Sequence, residues 1–173
     1  FPRFLETYLA AANALKVGNP VAVADDGDPL PVLDFGPLIN RATAESLRKS
    51  VSMAIATGAI PLFEGRLDES RFIEGQDTSA YIPPAALLNV PRNSALYHRE
   101  PFGPVDTFVL VDSVDELVAE MNVSNGCLVS SIACDDAELA GDIGAQLRSF
   151  KVGVNAMRSR GDREEPFGGP GQS

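Results

Sequence analysis

The feature that most constrains this chain is the alternation in its second half. Val105 to Val111 reads as a strand, Ser113 caps a helix through Met121, and Leu128 to Ala133 reads as a second strand. Asp135 then caps a helix through Arg148, and Val152 to Asn155 makes a last strand. The links between these elements are short. Parallel strands cannot be joined by a hairpin and need a crossover, so strand, helix, strand, helix, strand predicts an α/β fold: a parallel sheet with helices on both faces.

The first half is less regular. Phe4, Leu5, Tyr8, Leu9, Ala12 and Leu15 recur at helical spacing and predict a helix over 3–16, stopped by Gly18 and Pro20. Residues 19–37 are rich in Pro, Gly and Asp and read as a surface loop. Leu47, Val51, Ala54 and Ile55 share a face of a helix over 42–57, although Thr43 and Ser46 make no full capping box; Gly58 ends it. Ala59 to Phe63, closed by Glu64-Gly65, is a short strand, and 66–79 is too polar to place. There is no internal repeat. With 173 residues and 45% hydrophobic content, the chain suffices for one domain whose core needs neither disulfide nor metal.

Charge narrows the partners. The net charge of −10 leaves no basic patch for a nucleic acid or an anionic membrane, and the densest basic stretch, Arg158 to Arg163, is interrupted or followed by Asp162, Glu164 and Glu165. Cys127 and Cys134 lie seven apart around an apolar run, which suits neither a disulfide framework nor a metal site and points to a reducing compartment. The sequence offers no export signal and no apolar run long enough to span a membrane, so a cytoplasmic protein is expected. The Asn122-Val123-Ser124 sequon is accordingly empty. The chain opens on Phe1 and closes on a turn-rich Phe167 to Ser173 stretch, and both ends are expected to be cuts.

A generic search for chemistry finds little. His98 is the single histidine, no Gly-x-Ser-x-Gly elbow occurs, and the glycines after Phe167 lack the strand-to-helix context of a dinucleotide fingerprint. Cys127 and Cys134 flank a buried strand, where a thiol behaves as a small hydrophobe. Glu100-Pro101-Phe102-Gly103-Pro104-Val105 puts a carboxylate, a ring and a tight turn at a loop-to-strand junction. That acid could accept bonds from sugar hydroxyls, or simply be a solvated loop residue.

Four ordered signatures resemble the aldehyde dehydrogenase superfamily: Leu15-Lys16-Val17-Gly18-Asn19-Pro20 with Asp34-Phe35-Gly36-Pro37-Leu38-Ile39, the Glu100 to Val105 motif, the Asn122 to Ser131 stretch with Asn125-Gly126 at its turn, and Val154-Asn155 with Pro166-Phe167-Gly168-Gly169. Together they span the chain in family order. The resemblance implies that residues 1–173 are the C-terminal part of an aldehyde dehydrogenase catalytic domain. It implies that Glu100 binds the nicotinamide-ribose hydroxyls of NAD or NADP, that Phe102 lies beside the nicotinamide, and that Phe167 lines the aldehyde side. The implied chemistry is attack of a cysteine thiolate on the aldehyde, hydride transfer, and release of an acid or thioester.

The nucleophilic Cys and the general-base Glu of the family match nothing in these residues, nor does most of its cofactor domain, so no catalytic residue is assigned and the isolated chain is expected to be inert. Exposed sheet edges make a homo-oligomer the expected state. The acid is expected beside a crevice at the carboxyl ends of the parallel strands, with space for a ribose. Pro101 departs from the family pattern, where a bulky apolar residue is usual, and so does the charged Arg158 to Glu165 stretch, which suggests a substrate with a carboxylate or CoA tail. The alternative is a stand-alone binding module that kept the fold without the activity.

Overall fold

A computed structural model describes residues 1–23, 25, 27–124, 128–156 and 168–169. The chain divides into two compact units, one of Phe1–Leu96 with Pro101–Phe108, the other of Tyr97–Glu100 with Val109–Ser173.

Unit 1 opens with helix α1 (Pro2–Ala14), whose proline sits at the first turn, where its missing N–H costs nothing. Helix α2 (Arg41–Ala56) begins where the Asn40 side chain accepts from the Thr43 N–H at 2.8 Å. It ends in a Schellman motif: Gly58 takes φ 119°, its N–H donates to the Ile55 carbonyl, and the Ala59 N–H donates to the Ala54 carbonyl. Ala44, Leu47 and Ala54 form its buried face.

The sheet of unit 1 has the order β1-β2-β3, with β1 at Ile60–Glu64, β2 at Ala85–Leu88 and β3 at Val105–Phe108. Strand β2 is central, Leu87 and Ala86 are fully buried, and β3 runs parallel to it from Ala85↔Val105 to Leu88↔Phe108. Strand β1 is antiparallel to β2, with a register shift between Pro61 and Phe63. Pro61 cannot donate to a ladder, which suits an edge strand. α1 lies against β3 through edge-on contacts of Tyr8 and Phe4 with Phe108 at ring-centre distances of 4.9 and 5.9 Å. The Tyr8 hydroxyl also donates to Asp106 at 2.6 Å.

The short helix α3 (Ala95–His98) follows, and unit 2 continues with α4 (Val114–Met121), β4 (Val129–Ile132), α5 (Ala137–Gln146) and β5 (Lys151–Val154). β4 and β5 pair in parallel from Val129↔Lys151 to Ile132↔Val154. Ile132, Ala140 and Ile143 form the core, with Leu117, Val118, Leu147 and Val152 packed around it. At roughly 25 cal/mol per Å², burying the Ile132 and Ile143 side chains contributes about 1.5–3 kcal/mol each.

The α/β class expected from the alternation holds, and α1, α2, α4 and α5 fall where periodicity and caps place them, whereas α3 and β2 have no counterpart among the expected elements. Three further details differ. β3 stops at Phe108 rather than Val111, because Ser113 caps α4 by accepting from the Glu116 N–H at 3.2 Å and the residues between must turn toward it. The cap of α5 is Asp136, not Asp135; its carboxylate accepts from the Glu138 and Leu139 N–H groups, both at 3.0 Å. The strands form a three-stranded and a two-stranded sheet, and the first pair is antiparallel.

Candidate functional site

The Glu100 to Val105 motif folds as a sharp entry into β3. The Gly103 N–H donates to the Pro101 carbonyl at 2.5 Å and the Val105 N–H to the Gly103 carbonyl at 2.8 Å, two successive three-residue turns. The Pro104 carbonyl accepts from Ala85 at 2.9 Å, so the ladder with β2 starts directly after the turn. Gly103 passes close to α2: a Cβ would stand 2.5 Å from a Leu47 methyl, which would have to shift, and 3.5 Å from Leu38. Val105 is buried, whereas Phe102 points its ring outward and is 78% exposed. A ring of this size left in water has no packing role of its own, so the turn presents Phe102 rather than burying it.

Glu100 belongs to unit 2 and is exposed. Three residues earlier, the Tyr97 hydroxyl donates to the Glu120 carboxylate on α4, and the His98 ring meets Tyr97 edge-on at 5.1 Å. The only histidine thus belongs to an aromatic cluster. The acid is not turned into a core. The Phe102 to Pro104 turn, however, enters β3 at its amino end, and the expected crevice at the carboxyl ends of the parallel strands is not where this motif lies.

The described residues of the other signatures fasten the backbone. In the first, Asp34 and Lys16 exchange bonds: the Lys16 N–H donates to the Asp34 carboxylate at 2.8 Å and the Asp34 N–H to the Lys16 carbonyl at 2.9 Å, next to a parallel bridge between Val17 and Phe35. Gly18 lets this strand pass Arg71, since a Cβ would stand 2.9 Å from the Arg71 carbonyl. Asn19, only 7% exposed, donates to Gln76 at 2.8 Å and accepts from the Val21 N–H, and Gln76 in turn donates to the Tyr81 hydroxyl at 3.1 Å. Arg48 on α2 closes the set by donating to the Ser79 and Tyr81 carbonyls at 3.1 and 2.5 Å.

In unit 2, Asn155 takes φ 52°, and its amide pairs both ways with the Cys134 backbone, accepting at 2.9 Å and donating at 2.6 Å. Asn122 does the same after α5, donating to the Gln146 carbonyl and accepting from the Arg148 N–H. Sequence reading missed these clips because a polar residue after a strand or helix looks like any loop residue. The signal available was Asn itself, the side chain that most readily takes a left-handed backbone while matching a peptide group on both edges.

Cys134 is half-buried, with its backbone held by Asn155. Phe167, Cys127, Asn125-Gly126 and the Arg158 to Glu165 stretch lie outside the described residues. Among the described residues, no group of three or more His, Cys, Asp or Glu side chains is placed to hold a metal, and no helix is long and apolar enough to cross a membrane. A cleft of about 280 Å³ in unit 1, lined by Ala12, Asn13, Phe63, Glu64, Gly65, Arg66 and Pro84, involves none of the expected site residues.

Comparison with known proteins decides the family. The model of the "Aldehyde dehydrogenase family" matches residues 1–173. The chain belongs to the aldehyde dehydrogenase family. It is 30% identical over 156 residues to a D-glyceraldehyde dehydrogenase (NADP(+)) of Picrophilus torridus, covering 90% of this chain and 29% of that protein. It is 31% identical over 140 residues to the lactaldehyde dehydrogenase of Escherichia coli, covering 81% of this chain and 26% of that one. Among solved structures, aldehyde dehydrogenase 21 of Physcomitrella patens superposes with a TM-score of 0.78 at 26% identity, over 98% of this chain and 32% of that chain. The chain therefore spans between a quarter and a third of the length of its aldehyde dehydrogenase relatives.

Proposed function

We propose that residues 1–173 are part of the catalytic domain of a longer NAD(P)-dependent aldehyde dehydrogenase and supply one wall of its nicotinamide and aldehyde site. The observation that carries this reading is the division of labour within one motif: Gly103, Pro104 and Val105 lock the turn onto β2 and α2, while Phe102 and Glu100 are left exposed. A turn built so tightly to hold the Phe102 ring in water serves a ligand that covers it.

Their chemistry fits the group. An ionised carboxylate only accepts, so Glu100 can take bonds from two vicinal ribose hydroxyls, and the flat face of Phe102 excludes water beside a nicotinamide ring. When bound, the cofactor accepts the hydride that leaves the substrate carbon. Phe167 lines the aldehyde side in this reading. The thiol nucleophile and the general base come from protein outside these residues, and the product is an acid or a thioester. Several relatives bear NADP(+) in their names, which supports a nicotinamide cofactor, and both NAD and NADP stay within the reading.

Two further attributes belong to the same reading. The outer edges of β1 and β3 in unit 1 support a homo-oligomer, and the net charge and the spare use of cysteine support a cytoplasmic setting without nucleic acid or membrane. Phe4, at 55% exposure, and Ile39, at 90%, favour a part covered by more protein over a self-sufficient binding module.

The isolated chain mixed with NAD+ or NADP+ and lactaldehyde is expected to give no reduced cofactor. Turnover that disappears in Cys127→Ser or Cys134→Ser would place the nucleophile here and overturn the assignment. In the full-length enzyme, Glu100→Gln is expected to lower cofactor affinity or slow hydride transfer by about tenfold, the equivalent of one charge-assisted bond; unchanged affinity and rates would remove Glu100 from the site.

A further inference from the structure

We propose that Tyr97 is a positioning residue for Glu100, acting through its hydrogen bond to Glu120. The inference rests on the reading of Glu100 as the acceptor of nicotinamide-ribose hydroxyls. Residues Tyr97–Glu100 pack with unit 2 although Leu96 before them and Pro101 after them pack with unit 1. Within unit 2 the Tyr97 hydroxyl holds this stretch by donating to the Glu120 carboxylate, 23 residues further along the chain. Both side chains are half-buried, which protects the bond from competing water.

The anchor is itself fixed. Glu120 stands in the last turn of α4, a helix capped at its start by Ser113 and followed at once by Asn122, whose side chain clips the Gln146 carbonyl and the Arg148 N–H. The His98 ring lies edge-on against Tyr97 at 5.1 Å and restricts the phenol further. From the other side, Pro101 confines the backbone of Glu100 to extended geometry, because the proline ring clashes with a helical residue before it. Glu100 is therefore bracketed, by a hydrogen-bonded phenol three positions before it and by a rigid ring one position after it. A carboxylate that must reach two hydroxyls at once loses its bonds when displaced by about 1 Å, so the bracket sets how well Glu100 binds.

The test uses the full-length enzyme. Tyr97→Phe keeps the ring and removes the hydroxyl that donates to Glu120. Its affinity for NADH or NADPH, read by fluorescence titration, is expected to fall about fivefold, the loss typical of one hydrogen bond. Amide exchange at residues 98–100 and at 102 should quicken while β4 and β5 keep their protection. Glu120→Ala removes the acceptor from the other side and should give the same loss, whereas Glu120→Gln retains an acceptor and should bind cofactor within about twofold of the parent.

Because Tyr97 works through Glu100, Tyr97→Phe combined with Glu100→Gln is expected to lose no more than Glu100→Gln alone. Losses that add would mark a general structural role and overturn the proposal. Unchanged affinity in Tyr97→Phe and Glu120→Ala, with Glu100→Gln weakened, would overturn the positioning role and leave the reading of Glu100 standing. No effect of Glu100→Gln would sink the reading itself.

Discussion

In unit 2 the chain buries Ile132, Ala140 and Ile143 between elements that follow one another directly, and its side-chain clips join residues 21 to 26 positions apart. Unit 1 is assembled across greater distances. Asn19 reaches Gln76 over 57 positions, Arg48 reaches Tyr81 over 33, and Tyr8 reaches Asp106 over 98. Each closed loop costs conformational entropy that grows slowly with its length, so long connections are affordable only where buried surface offsets them. Unit 1 offsets them at β2, where Leu87 is fully buried, while unit 2 needs little more than a short parallel ladder and one packed helix face.

If that contrast is right, Leu87→Ala should be the most damaging change, costing about 2–5 kcal/mol through lost transfer energy and a cavity in the central strand. Amide exchange should rise throughout β1, β2 and β3 while β4 and β5 stay protected; equal loss in both units would break the distinction. Asn155→Ala is the counterpart in unit 2. It removes two bonds to the Cys134 backbone and leaves a non-glycine residue at φ 52°, and it should cost about 1–3 kcal/mol confined to β4 and β5. Asn155→Gly, which relieves the backbone but not the lost bonds, should recover part of that loss in thermal melting.

The smallest effect concerns the longest connection. Tyr8→Phe removes one bond to a surface carboxylate and should cost about 1 kcal/mol near neutrality. Burial, then the hydrogen bond and charge of Asp106, push the Tyr8 phenol above its ordinary range. A group whose pKa is raised on folding stabilises fully below its unfolded value and loses that contribution as pH climbs. The parent should therefore weaken above pH ~10 and Tyr8→Phe should lack this alkaline loss. Identical alkaline melting curves would show that Tyr8 is not protected by the packing of α1 on β3.

The same contrast explains what could be read without coordinates. Unit 2 was legible because its alternation, its Ser113 cap and its apolar strands are all local signals, and the α5 cap was misplaced by one residue only because Asp135 and Asp136 are adjacent acids. Strand β2 escaped notice: Ala85-Ala86-Leu87-Leu88 is a short run between prolines and Asn89, with neither alternation nor β-branched residues, and it becomes a strand by being covered on both sides. In the candidate site, Glu100 and Phe102 stood out by their motif. The tie from Tyr97 to Glu120 did not, since no periodicity relates a phenol at the end of one helix to a carboxylate in the last turn of another.

The bridge between Val17 and Phe35 settles how the chain tolerates change. With the Lys16 backbone clasped by the Asp34 carboxylate and N–H and Asn19 fastened to Gln76, both feet of the intervening loop are moored independently of what it contains. Doubling its length would add only about 0.6 kcal/mol of closure entropy. An epitope or a fluorophore-attachment peptide spliced near Gly27 would report on this protein without disturbing its frame.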